Sequence, residues 1–154
     1  MDAKFINPVL NSMVNVLATM AQIDSEPGKP VLKTDDEARG AVTGLIALQG
    51  AQVRGSMAIS FPQAVIADIV QRMLGEEITE VDETARDLTG EITNMVLGGA
   101  KNLFEQQGYD FGLSLPNVLV GVKHVVEHPY PGPKILLPFQ TGAGEFYVEI
   151  CFEA

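Results

Sequence analysis

The order of segments in this 154-residue chain predicts an α+β fold. Helical periodicity comes first, followed by a hairpin, a short helix, a long helix and a closing run of strands, without strict alternation of strand and helix. A long helix followed by antiparallel strands occurs twice. That repetition predicts two pseudo-symmetric halves, their long helices packed on an antiparallel sheet. No linker or low-complexity stretch interrupts the chain, so residues 1–154 are read as one domain.

Each element has its own signal. Over residues 3–23, Phe5, Val9, Met13, Val16, Leu17 and Met20 recur at steps of three and four, the apolar face of a helix, with Pro8 near its front. Residues 25–30, Ser-Glu-Pro-Gly-Lys-Pro, carry turn chemistry. Residues 41–48 and 52–61 read as a hairpin turning at residues 49–51. In its second strand Val53, Met57, Ile59 and Phe61 alternate with Gln52, Arg54, Ser56 and Ser60, which predicts a half-buried strand. Pro62 opens a helix over 63–74 that turns Val65, Ile66, Ile69, Val70 and Met73 inward, and Gly75 stops it. An acidic connector, residues 76–82, leads into the longest proline-free helical stretch, residues 82–108. Residues 117–126 are β-branched and read as a strand, and 128–133 as a proline-rich loop. Residues 134–140 and 145–153 form a closing hairpin, with Phe146, Val148, Ile150 and Phe152 on one face and Glu145, Tyr147, Glu149 and Glu153 on the other.

Ten Lys and Arg against twenty Asp and Glu give a formal charge of −10. Such a field repels nucleic acid and anionic membrane surfaces, and neither is an expected partner. The opening MDAKFINPVLNS starts acidic and breaks its apolar run with Asn and Pro, unlike a signal peptide. The lone Cys151 offers no internal disulfide. A cytoplasmic location is expected.

Three constellations are weak on physical grounds. His124, Glu127 and His128 match the H-x-x-E-H pattern of inverted zinc peptidases. That chemistry needs both histidines on one helical face, and Pro129 pushes the preceding residue out of helix. Cys151 lies between glutamates, which raise rather than lower a thiol pKa. Gly142-Ala-Gly144 reads as a hairpin turn rather than a phosphate cradle. No metal and no cofactor of the chain's own is expected.

The long helix is different. Leu88, Ile92, Met95, Val96 and Leu103 form one apolar stripe, centred at about 100° per residue roughly opposite Asn94. Asp87, Glu91, Gly98 and Lys101 flank Asn94, so the outer face holds a carboxylate, an amide three residues later and then a glycine. Asn is a mediocre mid-helix residue, and Gly98 and Gly99 each cost about 1 kcal/mol relative to Ala. A glycine on the polar face lets another backbone approach. These residues predict a protein-docking face centred on Glu91 and Asn94, with no reaction specified.

At these residues the chain resembles the CheC/CheX/FliY family of bacterial chemotaxis phosphatases. The family pattern Glu-x-x-Asn, commonly G-E-[IL]-x-N-[MI]-x-x-G, stands complete as Gly90, Glu91, Ile92, Asn94, Met95 and Gly98. The opening residues, the strand G-S-M-A-I-S-F and the order of elements are similar too. The first helix offers Asn7, Asn11 and Asn15 without a Glu three residues earlier, so one site per chain fits the CheX branch. The resemblance implies hydrolysis of the aspartyl-phosphate on a CheY-type response regulator, with the regulator supplying Mg²⁺ and a lysine. It implies that Asn94 enters the regulator's active site and holds the attacking water, while Glu91 pairs with the lysine. Asp87, Gly98 and Lys101 would line the docking surface, and a homodimer through a sheet edge would follow. The alternative is a docking module that binds a phosphorylated receiver domain without hydrolysing it.

Overall fold

The structure, a computed structural model, describes residues 3–153. Among the described residues three helices, α1 (Ala3–Met20), α2 (Gln63–Leu74) and α3 (Glu83–Gln106), lie against an antiparallel sheet of eight strands. The strands are β1 (Glu26–Pro27), β2 (Val31–Lys33), β3 (Val42–Gln49), β4 (Arg54–Phe61), β5 (Gly112–Leu113), β6 (Asn117–Val120), β7 (Lys134–Thr141) and β8 (Gly144–Phe152).

The expected pseudo-symmetry is visible in the pairing. Each half contributes a helix, two short strands and a long hairpin. The short strands of each half pair not with their own hairpin but with the other's: β1 and β2 with β7, β5 and β6 with β3. The two hairpins meet where β4 pairs with β8, from Gly55↔Phe152 to Ser60↔Tyr147. Interchanging the halves therefore maps the sheet onto itself.

Period-two alternation decides the faces. Val42, Ile46, Met57, Ile59, Phe61, Phe146, Val148 and Ile150 point to the helices and form one core with α1 residues Val9, Met13 and Leu17 and α3 residues Leu88, Ile92, Val96, Leu97 and Phe104. Burying each such aliphatic or aromatic side chain contributes about 1.5–3 kcal/mol. α1 and α3 cross closely, where the Ser12 hydroxyl donates to the Val96 carbonyl at 2.6 Å and faces Gly99. Phe104 packs edge-on to Phe111, with ring centroids 5.4 Å apart, and ties the end of α3 to the strands that follow.

Several local expectations change. The first helix ends at Met20 rather than residue 23, and Met20 is exposed. Residues 25–30 contain the edge strand β1, where Pro27 is tolerated because an edge need not donate on both sides. The strand expected over 117–126 stops at Val120, because Gly121 (φ 135°) and Lys123 (φ 57°) leave extended geometry. Residues 121–133 instead fold back over the second face of the sheet. They bury Val126 against Ala38 and Ala58, which is why Ser56, Ser60 and Glu149 are buried rather than solvated. β4 is thus covered on both faces.

Charge beneath that strap is balanced locally. Lys33 Nζ lies 2.8 Å from Glu149 Oε2, and His128 Nε2 is 3.0 Å from Glu149 Oε1. Burial pushes the Glu149 carboxyl up, but hydrogen bonds from His128 and Lys33 and the lysine charge outweigh it, leaving the group below its ordinary range. With Nε2 serving the carboxylate, His128 Nδ1 lies 2.6 Å from Ser56 Oγ.

Candidate docking and catalytic face

α3 is fixed at both ends and along its inner side. The Asp82 carboxylate accepts from Ala85 N at 3.0 Å, and the Tyr109 amide donates to the Phe104 carbonyl beyond the last turn. Thr89 and Thr93 face the sheet and satisfy their hydroxyls on the Ala85 and Thr89 carbonyls, each at 2.7 Å. Gly44 on β3 admits Thr93, since a Cβ there would stand 1.9 Å from its Oγ1. The inner stripe therefore runs through Leu88, Thr89, Ile92, Thr93, Val96 and Leu97, with Met95 and Leu103 half-buried at its margins.

The outer face presents Asp87, Glu91 and Asn94, all exposed. Neither the Glu91 carboxylate nor the Asn94 amide bonds to another group among the described residues, so both are available to a partner. They line an open groove with Arg86 and Gly90 of the same helix and Pro116 and Val118 of the facing strand region. Gly90 faces Val118 closely, and a Cβ there would lie 3.3 Å from Val118 Cγ2, a tight contact that the glycine avoids. Gly98 and Lys101 lie further along the helix, outside the groove lining. Gly98 has nothing within 4 Å of where a Cβ would stand, and Lys101 Nζ is 3.8 Å from Glu105 Oε1.

Arg86, Pro116 and Val118 went unmarked in the sequence reading. Arg86 falls about 80° from Asn94 on the helix, a separation that helical geometry alone could have flagged. Pro116 and Val118 carried no local signal, because they reach the groove only through the pairing of β6 with β3.

The other constellations are engaged internally. His124 Nε2 and Nδ1 contact Thr43 Oγ1 at 2.6 Å and the Gly121 carbonyl at 2.8 Å. His128 is held between Ser56 and Glu149 as described, so both rings spend both nitrogens on the protein. Burial raises the Cys151 thiol pKa, and Glu149 raises it further against the opposing charge of Lys134. No helix of the described residues is long and apolar enough to cross a membrane.

The geometry finds its counterpart among known proteins. The family model for the chemotaxis phosphatase CheX matches residues 42–140, a span holding α3 and the groove. The chain belongs to the CheX family. A CheC-like superfamily protein of solved structure from Shewanella sp. PV-4 is 48% identical, with both chains covered completely and a TM-score of 0.93. The CheY-P phosphatase CheX of Thermotoga maritima is 27% identical over 122 residues, 79% of this chain and 78% of that protein. The CheX–CheY–BeF3–Mg²⁺ complex from Borrelia burgdorferi shares the fold at 22% identity, with 97% and 98% of the two chains covered and a TM-score of 0.82. The α+β architecture is shared with these solved structures.

Proposed function

We propose that this chain is a hydrolase that dephosphorylates the aspartyl-phosphate of a CheY-type response regulator, using Asn94 to position the attacking water. The observation that carries the reading is a carboxylate and an amide one turn apart, exposed and unbonded at the centre of a groove, in a chain of the CheX family. The relatives support it: one is a CheY-P phosphatase, and another stands in a complex with CheY and Mg²⁺.

The chemistry asks little of this chain. An acyl phosphate is already activated, and in this reading the receiver holds Mg²⁺ and a lysine against the transferring phosphoryl group. Water attacks phosphorus in line, the bond to the aspartyl oxygen breaks, and the products are a free carboxylate and inorganic phosphate. The Asn94 amide orients that water by hydrogen bonding, which is catalysis by positioning. Glu91, one turn earlier, pairs with the receiver's lysine and sets how deeply Asn94 enters. Asp87, Gly98 and Lys101 belong to the surrounding docking surface. The protein acts as one domain in the cytoplasm, where a receiver would meet it. It pairs as a homodimer through a sheet edge, a step supported by the short outer strands and by exposed Val120 at the end of β6 and Val122 just beyond it.

The test is phosphate release from a phosphorylated CheY-type receiver. Asn94→Ala should abolish release while circular dichroism shows an intact fold, since the side chain is exposed. Glu91→Lys should chiefly raise KM. Equal rates for wild type and Asn94→Ala would remove the catalytic role and leave a docking module.

A further inference from the structure

We propose that Arg86 and Leu115 form a docking lip that selects the receiver, Arg86 pairing with a surface carboxylate and Leu115 covering an apolar patch beside it. The proposal rests on the phosphatase reading and names the chemistry of the partner's surface.

Arg86 is the exception among the four arginines. Arg39 pairs with Asp35 at 2.9 Å, Arg54 with Glu153 at 2.5 Å and Arg72 with Asp68 at 3.2 Å. Arg86 pairs with no carboxylate among the described residues, in a chain with twice as many acids as bases. Its i+4 neighbour is Gly90, the carboxylate of its i−4 neighbour, Asp82, caps Ala85, and Glu83 at i−3 forms no ion pair with it. Arg86 is exposed and lines the groove that holds Glu91 and Asn94.

Next to Pro116, which lines the groove, Leu115 is 86% exposed in the segment between β5 and β6. Its backbone is held on both sides. Ser114 N donates to the Ala47 carbonyl at 3.0 Å, Ser114 Oγ accepts from Ala47 N at 2.9 Å, and Pro116 follows. A leucine presented on a pinned turn loses little freedom on docking, which is what an apolar anchor requires.

Distance separates this lip from the chemistry. Arg86 and Asn94 are eight positions apart, about 12 Å along the axis. With Asn94 at the phosphoryl group, the guanidinium meets the rim of the receiver's pocket. Its planar fork suits a carboxylate there, held by two hydrogen bonds. Arg86 and Leu115 are thus specificity determinants, not catalytic residues.

Steady-state phosphate release from a phosphorylated CheY-type receiver tests this with Arg86→Gln, Arg86→Lys, Leu115→Ser and Asn94→Ala at low and high salt. Arg86→Gln should raise KM about tenfold at low salt with kcat unchanged, and the difference should shrink at high salt. Arg86→Lys should recover only part of the loss. Leu115→Ser should raise KM by a similar factor at both salt concentrations. KM values within about twofold of wild type for Arg86→Gln and Leu115→Ser, beside an inactive Asn94→Ala, would overturn the lip alone. A loss confined to kcat would overturn it as well. An Asn94→Ala protein as active as wild type would bring down the phosphatase reading and the lip with it.

Discussion

Gly98 and Gly99 stand side by side in α3, and an added Cβ meets opposite surroundings at the two positions. At Gly98 nothing lies within 4 Å, whereas at Gly99 the Ser12 hydroxyl would be 2.4 Å away. Gly98→Ala removes a helix-interior glycine without a clash and should stabilise the protein by about 1 kcal/mol. For a chain of this size that raises Tm by about 2–4 °C. Gly99→Ala gains the same propensity but pushes Ser12 Oγ off the Val96 carbonyl it meets at 2.6 Å. Losing a buried hydrogen bond costs about 1–3 kcal/mol, so the net change is at or below zero. Thermal melts followed by circular dichroism read both effects. The internal structure gives no reason for a glycine at 98, and the docking proposal supplies one: a receiver loop packs where the methyl group would sit. Gly98→Ala should therefore be more stable than wild type yet have a higher KM for phosphorylated receiver. A raised Tm with wild-type KM would refute the docking role, and a lowered Tm would refute the open space around Gly98.

Other expectations concern the frame that holds α3. Lys33→Met leaves the buried Glu149 carboxylate with His128 alone and should cost about 3 kcal/mol, read by chemical denaturation. The same carboxylate predicts an acid response. Its folded pKa lies below the ordinary value of 4.5, so its contribution is complete above that value and disappears as pH falls through the lower folded value. The stability advantage of wild type over Glu149→Gln should accordingly narrow below about pH 4.5, and an advantage independent of pH would contradict the ion pair. Gly44→Ala should force Thr93 away from β3 at a cost of about 1–3 kcal/mol or more. Adding Thr93→Ala should return part of that loss, and no recovery would place the clash elsewhere.

The second helix was legible to the residue, over 63–74, because Pro62, a 3.6-residue apolar rhythm and Gly75 are all local signals. α3 and the long hairpins were legible to within two residues at their ends. Strands β1 and β5 were not legible, since two-residue strands have no rhythm and exist only where β7 and β3 offer an edge. Ser56 and Glu149 looked like outward-facing residues of half-buried strands. Their burial depends on residues 121–133 folding across, and on Lys33 arriving 116 positions away in sequence to neutralise Glu149.

The polar face of α3 divides along the same line. Helical geometry alone put Asp87, Glu91 and Asn94 on one exposed surface, because residues three, four and seven apart share a face whatever surrounds the helix. Tertiary structure decided that this surface is one wall of a groove. Gly90 leaves room for Val118, the pairing of β6 with β3 brings Pro116 and Val118 to the groove, and Arg86 is left without a carboxylate partner among the described residues. Local spacing determines which side chains face outward together, while long-range strand pairing determines what stands across from them.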